Sequence, residues 1–261
     1  MLVPDEHVPR NFGLRDDDGL SLTCTDTGER RLLVSLRQCV ETAGPEELRQ
    51  DPDAFEIYGF HTKWNPQGDR LLFTMRWFPR SEPRIWGALH RGLVRFAVYT
   101  LKPDGSELHL AVGPDQWAKK GHHINFHPDG RSLSMNLRLD EQHMRFCRVD
   151  LDGRNLRPIL DTVLGSGHPT IHQDEQYVLT DCYLHEPTAF GDGTVPLRWI
   201  NLATGRETTP IRINTAQPYK FTEARVDPHP AWDHTWRRIA FNGYVDGSRR
   251  VYLADMSSLF E

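Results

Sequence analysis

The chain has 261 residues, of which 38% are hydrophobic, so it can bury one large core or two small ones. Its net charge of −5 argues against a nucleic-acid-binding function, because binding to phosphates depends on clustered lysine and arginine. No run of about 18 apolar residues occurs and the N-terminus lacks the basic and apolar regions of a signal peptide, so we expect a cytoplasmic protein that does not span a membrane.

The four cysteines support the same compartment. They lie far apart and form no C-x-x-C pair, which favours buried thiols of a reducing environment over a zinc knuckle or a disulfide framework. They are Cys24, Cys39, Cys147 and Cys182.

In chain order, the first predicted element is a hairpin within residues 20–36, "LSLTCTDTGERRLLVSL", which turns at Thr27-Gly28. The segment "GPEELRQD" at 44–51 then predicts one helical turn in a loop, and helical periodicity is otherwise scarce. The next segment, "HTKWNPQGDRLLFTMRW", predicts two strands joined by a polar turn, because Asn, Asp and Gly tolerate the dihedral angles of tight turns. A second hairpin, which turns at Asp104-Gly105, completes a four-stranded unit.

The same plan recurs further along the chain. Two segments, "HINFHPDGRSLSMNLRL" and "HPTIHQDEQYVLTDCYL", are each followed by a hairpin, which turns at Asp152-Gly153 and at Thr204-Gly205. The last segment, "HPAWDHTWRRIAFNGYV", leads to one more strand only. The predicted units are residues 58–115, 121–161, 166–213 and 225–256.

Four-stranded units of about 40–50 residues are typical of β-propellers. We therefore predict an all-β fold, a propeller with about four to five blades present, that spans residues 1–261 as a single domain. Residues 20–36 supply only two strands of a partial blade. The chain thus closes irregularly as a five-bladed ring, or it is part of a larger propeller whose first blades are absent. The stretch "DDDGLSLTC" favours the second alternative, because it resembles a segment that joins a blade at an inner strand and not at the first one.

A histidine opens each unit at the same register. In a propeller this register of the first strand lies at one rim of the central channel, so we expect these side chains to converge. Imidazole is both a metal ligand and a base near neutral pH. The alternative is structural, since a histidine before such a strand can simply form hydrogen bonds between blades. The four residues are His61, His123, His168 and His229.

Other side chains could join or flank this cluster. Asp227 precedes His229 by two positions and can add an oxygen ligand on the same side of the strand. His122 adds a nitrogen, although neighbours on a strand face opposite ways, so only one of His122 and His123 is expected to point into the site. The remaining turn histidines are expected to be solvated, namely His127, His172 and His234.

The blade starts "GHHINFHPDGRSL", "SGHPTIHQDEQYVLTDCY" and "DPHPAWDHTWRRIAFNG" resemble the oligogalacturonate lyase-like propellers, relatives of the TolB-type repeats. The resemblance covers most of residues 55–256. It implies a seven-bladed ring and the cleavage of unsaturated or short pectic uronides by β-elimination with bound Mn²⁺.

Carried over residue by residue, the resemblance assigns two metal ligands to His168 and His229. The base falls on His123 or on its neighbour His122. Two positions depart from the family pattern, because Asp227 stands where the family has a histidine and Ala224 where it has a glutamine. Aspartate can still bind Mn²⁺, whereas alanine loses a ligand, which leaves room for another uronide or for no catalysis.

A cationic loop completes the expected site. Three arginines in "MRWFPRSEPRIWG" can grip a substrate carboxylate, and His61 is placed with them as a substrate-binding residue. Trp77 and Trp86 could stack on a sugar ring. The alternative is a solvated insertion with aromatic anchors. The arginines are Arg76, Arg80 and Arg84.

These inferences predict a lyase that acts on an acidic oligosaccharide with a divalent metal, most simply Mn²⁺. The competing prediction is a non-catalytic propeller that binds a glycan or a protein, because a fold does not determine a function. A scaffold role is a third alternative.

Overall fold

The computed structural model describes residues 10–82, 88–89, 91–140, 142–215 and 226–260, and most of its regular structure is β-strand. Among the helices of these residues, none has the length and apolar character needed to cross a membrane.

The chain divides into two compact units. The first comprises Met1–Lys120, Asp129–Leu133 and Val149–Leu156. The second comprises Gly121–Pro128, Ser134–Arg148 and Arg157–Glu261.

The first unit contains a hairpin, β1 (Gly19–Thr23) and β2 (Arg30–Ser35), and an antiparallel sheet in the order β3-β4-β5-β6. Its core is apolar and includes Leu36, Ile57 and Tyr99, all fully buried. The sheet strands are β3 (Phe55–Trp64), β4 (Leu71–Pro79), β5 (Arg95–Leu101) and β6 (His109–Val112).

The helices of the first unit are short. They include α1 (Leu36–Ala43), α2 (Glu46–Gln50) and α3 (Pro114–Ala118), with a 3-10 turn at Pro52–Ala54. Of these, α2 was predicted from the sequence, whereas α1 and α3 were not. The N-terminus of α1 has a sequence signal, because the Ser35 hydroxyl accepts the Gln38 N–H and the Gln38 side chain accepts the Ser35 N–H. This reciprocal capping box follows the S-x-x-Q pattern.

Most of the second unit consists of three antiparallel sheets, in the orders β7-β8-β9-β10, β11-β12-β13-β14 and β15-β16-β17. The last sheet has three strands among the described residues, as predicted. The strands are β7 (Gly121–Phe126), β8 (Ser132–Arg138), β9 (Met144–Asp150), β10 (Arg157–Pro158), β11 (Thr170–Ile171), β12 (Tyr177–Thr180), β13 (Thr194–Asn201), β14 (Glu207–Asn214), β15 (Ala231–Trp232), β16 (Arg238–Val245) and β17 (Ser248–Asp255).

The sheets confirm the predicted all-β fold of four-stranded blades. The second unit packs them through apolar clusters, one of which contains Leu197, Ile239 and Phe241. That residues 1–261 form a single domain, and that blades are absent from a larger ring, both stay predictions.

Two turn histidines are buried, so their predicted solvation is wrong. His172 is only 5% exposed, because its ring packs against Trp232 and Phe260 and its Nε2 donates to the backbone oxygen of Trp236 at 3.2 Å. His127 is 2% exposed, whereas His234 is exposed as expected. The prediction of four buried thiols fails at Cys24, which lies on the surface in the turn after β1.

Candidate metal and catalytic site

Three of the side chains proposed as metal ligands lie together in the second unit. Each of His168, Asp227 and His229 offers one ligand atom, and these atoms all lie within 4.8 Å of one another. The imidazole centroids of His168 and His229 are 3.3 Å apart. Ligands bound at about 2.1 Å from one ion are separated by roughly 3–4 Å, so small rotations of these side chains would close the group around an ion.

His168 occupies a buried position two residues before β11 and forms hydrogen bonds with a carboxylate. Its Nδ1 lies 2.9 Å from both oxygens of Asp181, and its backbone N–H donates to Asp181 Oδ1 at 2.6 Å. When Nδ1 carries the proton and donates it to Asp181, Nε2 is the nitrogen that remains for a metal ion.

Asp181 follows β12 and is completely buried. Burial by itself would raise the pKa of this carboxyl group. The hydrogen bonds and charge of His168, together with the backbone N–H of His229, hold that pKa below its ordinary value instead. Asp181 is therefore an ionised carboxylate at neutral pH. Asp181 was not predicted from the sequence, because no periodic pattern marks a residue that follows a strand.

His229 reaches the site through an unusual backbone conformation. Its φ of +48° lies in the left-handed region, which residues other than glycine rarely adopt. Its backbone N–H donates to Asp181 Oδ2 at 3.1 Å. The same carboxylate thus contacts both histidines of the group.

His123, the proposed base, lies against this group. Its ring centroid is 3.9 Å from that of His168 and 5.7 Å from that of His229. Its Nε2 lies 2.7 Å from the hydroxyl oxygen of Tyr183, a hydrogen-bonding distance. His123 Nε2 and the Tyr183 hydroxyl therefore share a hydrogen bond, and Tyr183 was not among the predicted site residues.

His122 lies beside His123, with ring centroids 4.6 Å apart, and its ring also contacts Tyr183 at 5.9 Å. The prediction that only one of the two rings could point this way is wrong. The φ of His123 is +58°, and this left-handed residue breaks the alternation of side chains along the strand. Burial, followed by the charge of His168, lowers the pKa of His122 to about 4, so this imidazole is a weak base.

The loop that carries Tyr183 is anchored by Glu186. The backbone N–H of Tyr183 donates to Glu186 Oε2 at 2.9 Å, and the Ser166 hydroxyl donates to the same oxygen. This arrangement holds Tyr183 edge-on to His168, with ring centroids 5.6 Å apart.

The predicted substrate-binding residues belong to the first unit. Arg76 lies within β4 and not in a loop, so that part of the prediction is wrong. Its guanidinium lies 3.1 Å above the ring of Phe60, and burial lowers its pKa while Tyr58 opposes the shift. The His61 ring is 3.7 Å from Phe60.

Two further residues of that segment have structural contacts. Arg80 lies over the ring of Phe12 at 4.3 Å. Trp77 is fully buried and donates its indole N–H to Glu47 Oε1 at 2.6 Å, so it cannot stack on a sugar as predicted. Arg84, Trp86 and Ala224 lie outside the described residues.

No family model matches the chain, and no curated protein does. Among solved structures, the chain is similar to an oligogalacturonate lyase from Vibrio parahaemolyticus, at 10% identity and a TM-score of 0.54 over 95% of this chain and 74% of that one. An oligogalacturonate lyase in complex with manganese has 14% identity and a TM-score of 0.48 over the same shares. TolB from Acinetobacter baumannii has 13% identity and a TM-score of 0.44 over 80% of this chain and 57% of that one. At these identities the similarity concerns the fold alone, and this chain has the β-propeller fold that its repeats predicted.

Proposed function

We propose that this chain is a lyase that cleaves uronate-containing oligosaccharides by metal-assisted β-elimination. The observation that carries the proposal is the contact of the His123 ring with a histidine–aspartate group of metal-ligand spacing. A base beside a cation is the pair of groups that this reaction needs.

The donor set fits a divalent metal ion. Two imidazoles and one carboxylate, from His168, His229 and Asp227, suit ions such as Mn²⁺ or Zn²⁺. Three protein ligands leave coordination positions open, as in catalytic sites. When bound, the ion would polarise the substrate carboxylate and lower the energy of the enolate-like charge that develops during elimination.

His123 would take the proton from the carbon α to the carboxylate. The electrons of that C–H bond form the new double bond, and the bond to the β oxygen breaks. Tyr183 is within 2.7 Å of His123 and can donate its hydroxyl proton to the departing oxygen while it receives the proton on His123 Nε2. This transfer returns the histidine–tyrosine pair to its starting charge. The low pKa of His122 makes it the weaker candidate for the base.

The experiment supplies short oligogalacturonates and Mn²⁺ to the purified protein and follows the ultraviolet absorbance of the unsaturated product. His123→Gln and Tyr183→Phe should each lower turnover by ~10²–10⁴, the usual contribution of general acid–base catalysis, while Mn²⁺ affinity is kept. Matched controls are His234→Gln, an exposed turn histidine, and Tyr177→Phe, whose ring stacks on Trp199 at 4.6 Å. A loss of Mn²⁺ affinity in His123→Gln would make this residue a ligand and contradict its assignment as the base.

The second candidate function is a propeller that binds an acidic glycan without cleaving it. Two differences from the family pattern favour it, namely Ala224 in place of a glutamine ligand and Asp227 in place of a histidine. Calorimetry that detects oligogalacturonate binding, in a sample that forms no unsaturated product with Mn²⁺, would support this candidate.

A further inference from the structure

We infer that Asp181 is the positioning residue that fixes both histidines of the proposed metal site, an inference that rests on the proposed function. Asp181 contacts the two histidines from one buried position, although they precede different sheets. His168 precedes β11, and His229 precedes β15.

The two carboxylate oxygens of Asp181 accept hydrogen bonds from different histidines. Oδ1 accepts the backbone N–H of His168 at 2.6 Å, and Oδ2 accepts the backbone N–H of His229 at 3.1 Å. Both oxygens lie 2.9 Å from His168 Nδ1. The carboxylate therefore fixes the orientation of the His168 ring and the backbone positions of both histidines.

The ring contact has a chemical consequence for His168. A carboxylate that accepts from Nδ1–H selects the tautomer in which Nε2 holds the lone pair, and it makes that nitrogen a stronger ligand. Metal-bound histidines in proteins nearly always have such a partner on their second nitrogen. Asp181 thus supplies what His168 needs as a ligand, without itself belonging to the three ligands.

The backbone contact has a separate consequence for His229. A left-handed residue other than glycine is strained by about 1–3 kcal/mol and persists only where its surroundings hold it. The hydrogen bond from the His229 N–H to Asp181 Oδ2 is such a restraint, and it joins the positions of the two histidines.

Gly167 makes room for this carboxylate. Its φ is +57°, and a Cβ added there would lie 2.2 Å from both the backbone oxygen and Oδ1 of Asp181. A second contact holds the same peptide, because the buried Asn136 amide donates to the Gly167 oxygen at 2.8 Å. Any side chain at position 167 would push Asp181 away from the histidines.

The test measures Co²⁺ and Mn²⁺ affinity by titration of the full chain. Asp181→Asn should weaken binding by about 10–100-fold, the usual effect of losing such a partner. The control is Asp174→Asn, because the Asp174 carboxylate also lies close to an imidazole, 3.0 Å from Nδ1 of His172, which is not a proposed ligand. The control should bind both ions within about 2-fold of the parent.

A second readout needs no metal. In the metal-free protein, the amide protons of His168 and His229 should shift in the NMR spectrum of Asp181→Asn, because an amide group cannot accept at both positions. They should stay unchanged in Asp174→Asn. If Asp181→Asn does not fold, Gly167→Ala provides the test instead. It leaves the Asp181 carboxylate charged but displaces it from the histidines, so it should weaken ion binding.

The outcomes separate this inference from the proposed function. A folded Asp181→Asn that binds Co²⁺ as tightly as the parent, or an equal loss in Asp174→Asn, would overturn the inference and leave the lyase proposal standing. A parent that binds neither ion would overturn both.

Discussion

Two histidines of the candidate site, His123 and His229, adopt left-handed backbone conformations, with φ of +58° and +48°. Such conformations cost about 1–3 kcal/mol each and are concentrated at functional sites. Each has a compensating contact, from Tyr183 for His123 and from Asp181 for His229. Six other described residues that are not glycine also have positive φ, so the two histidines of the site are distinguished by these contacts and not by their backbone conformation alone.

The low pKa of His122 predicts an effect of pH on stability. Burial holds this pKa at about 4, below the value of about 6.5 for an unfolded chain. Between these values the unfolded protein binds a proton that the folded protein does not, so the free energy of unfolding should fall as pH drops from about 6.5 to about 4. The full effect is of the order of 3 kcal/mol.

Urea denaturation of the metal-free protein at several pH values measures this dependence. His122→Gln should flatten it over that range, and His234→Gln, at an exposed turn histidine, should leave it as in the parent. An equally steep dependence in His122→Gln would assign the acid sensitivity to other groups.

At the scale of elements, turn chemistry made the strands predictable. The predicted turn glycines Gly28, Gly105, Gly153 and Gly205 all have φ between +71° and +88°, which only glycine adopts easily. The helix α1 was missed, because its eight residues span about two turns and its apolar face is short. Its Ser35–Gln38 capping box was the available signal.

The capping box yields a prediction for α1. Ser35→Ala removes the acceptor for the Gln38 N–H and should lower the free energy of unfolding by about 1 kcal/mol. Urea denaturation measures the change, and Ser258→Ala, at an exposed position of the 3-10 turn Ser257–Leu259, is the control. No change in Ser35→Ala would mean that packing of the buried face of α1, and not its cap, holds the helix.

At the scale of the whole molecule, the candidate metal and catalytic site lies entirely within the second unit. The repeat predicted that His61, His123, His168 and His229 would come together, because a fixed register in repeated blades specifies a common position. The last three lie in contact, whereas the convergence of His61 stays a prediction. It could not predict Asp181 or Tyr183, which follow β12 without a recurring pattern and meet the histidines only through folding. The proposed substrate-binding roles stay predictions for all four residues, Arg76, Arg80, Arg84 and His61.

The most direct test of the account is the metal dependence of product formation. The purified protein is assayed on short oligogalacturonates after treatment with EDTA and again after Mn²⁺ is restored. We expect the unsaturated product to form with Mn²⁺, EDTA to abolish its formation, and added Mn²⁺ to restore it. Product formation that EDTA leaves unchanged, or the absence of product with Mn²⁺ bound at the site, would contradict metal-assisted elimination.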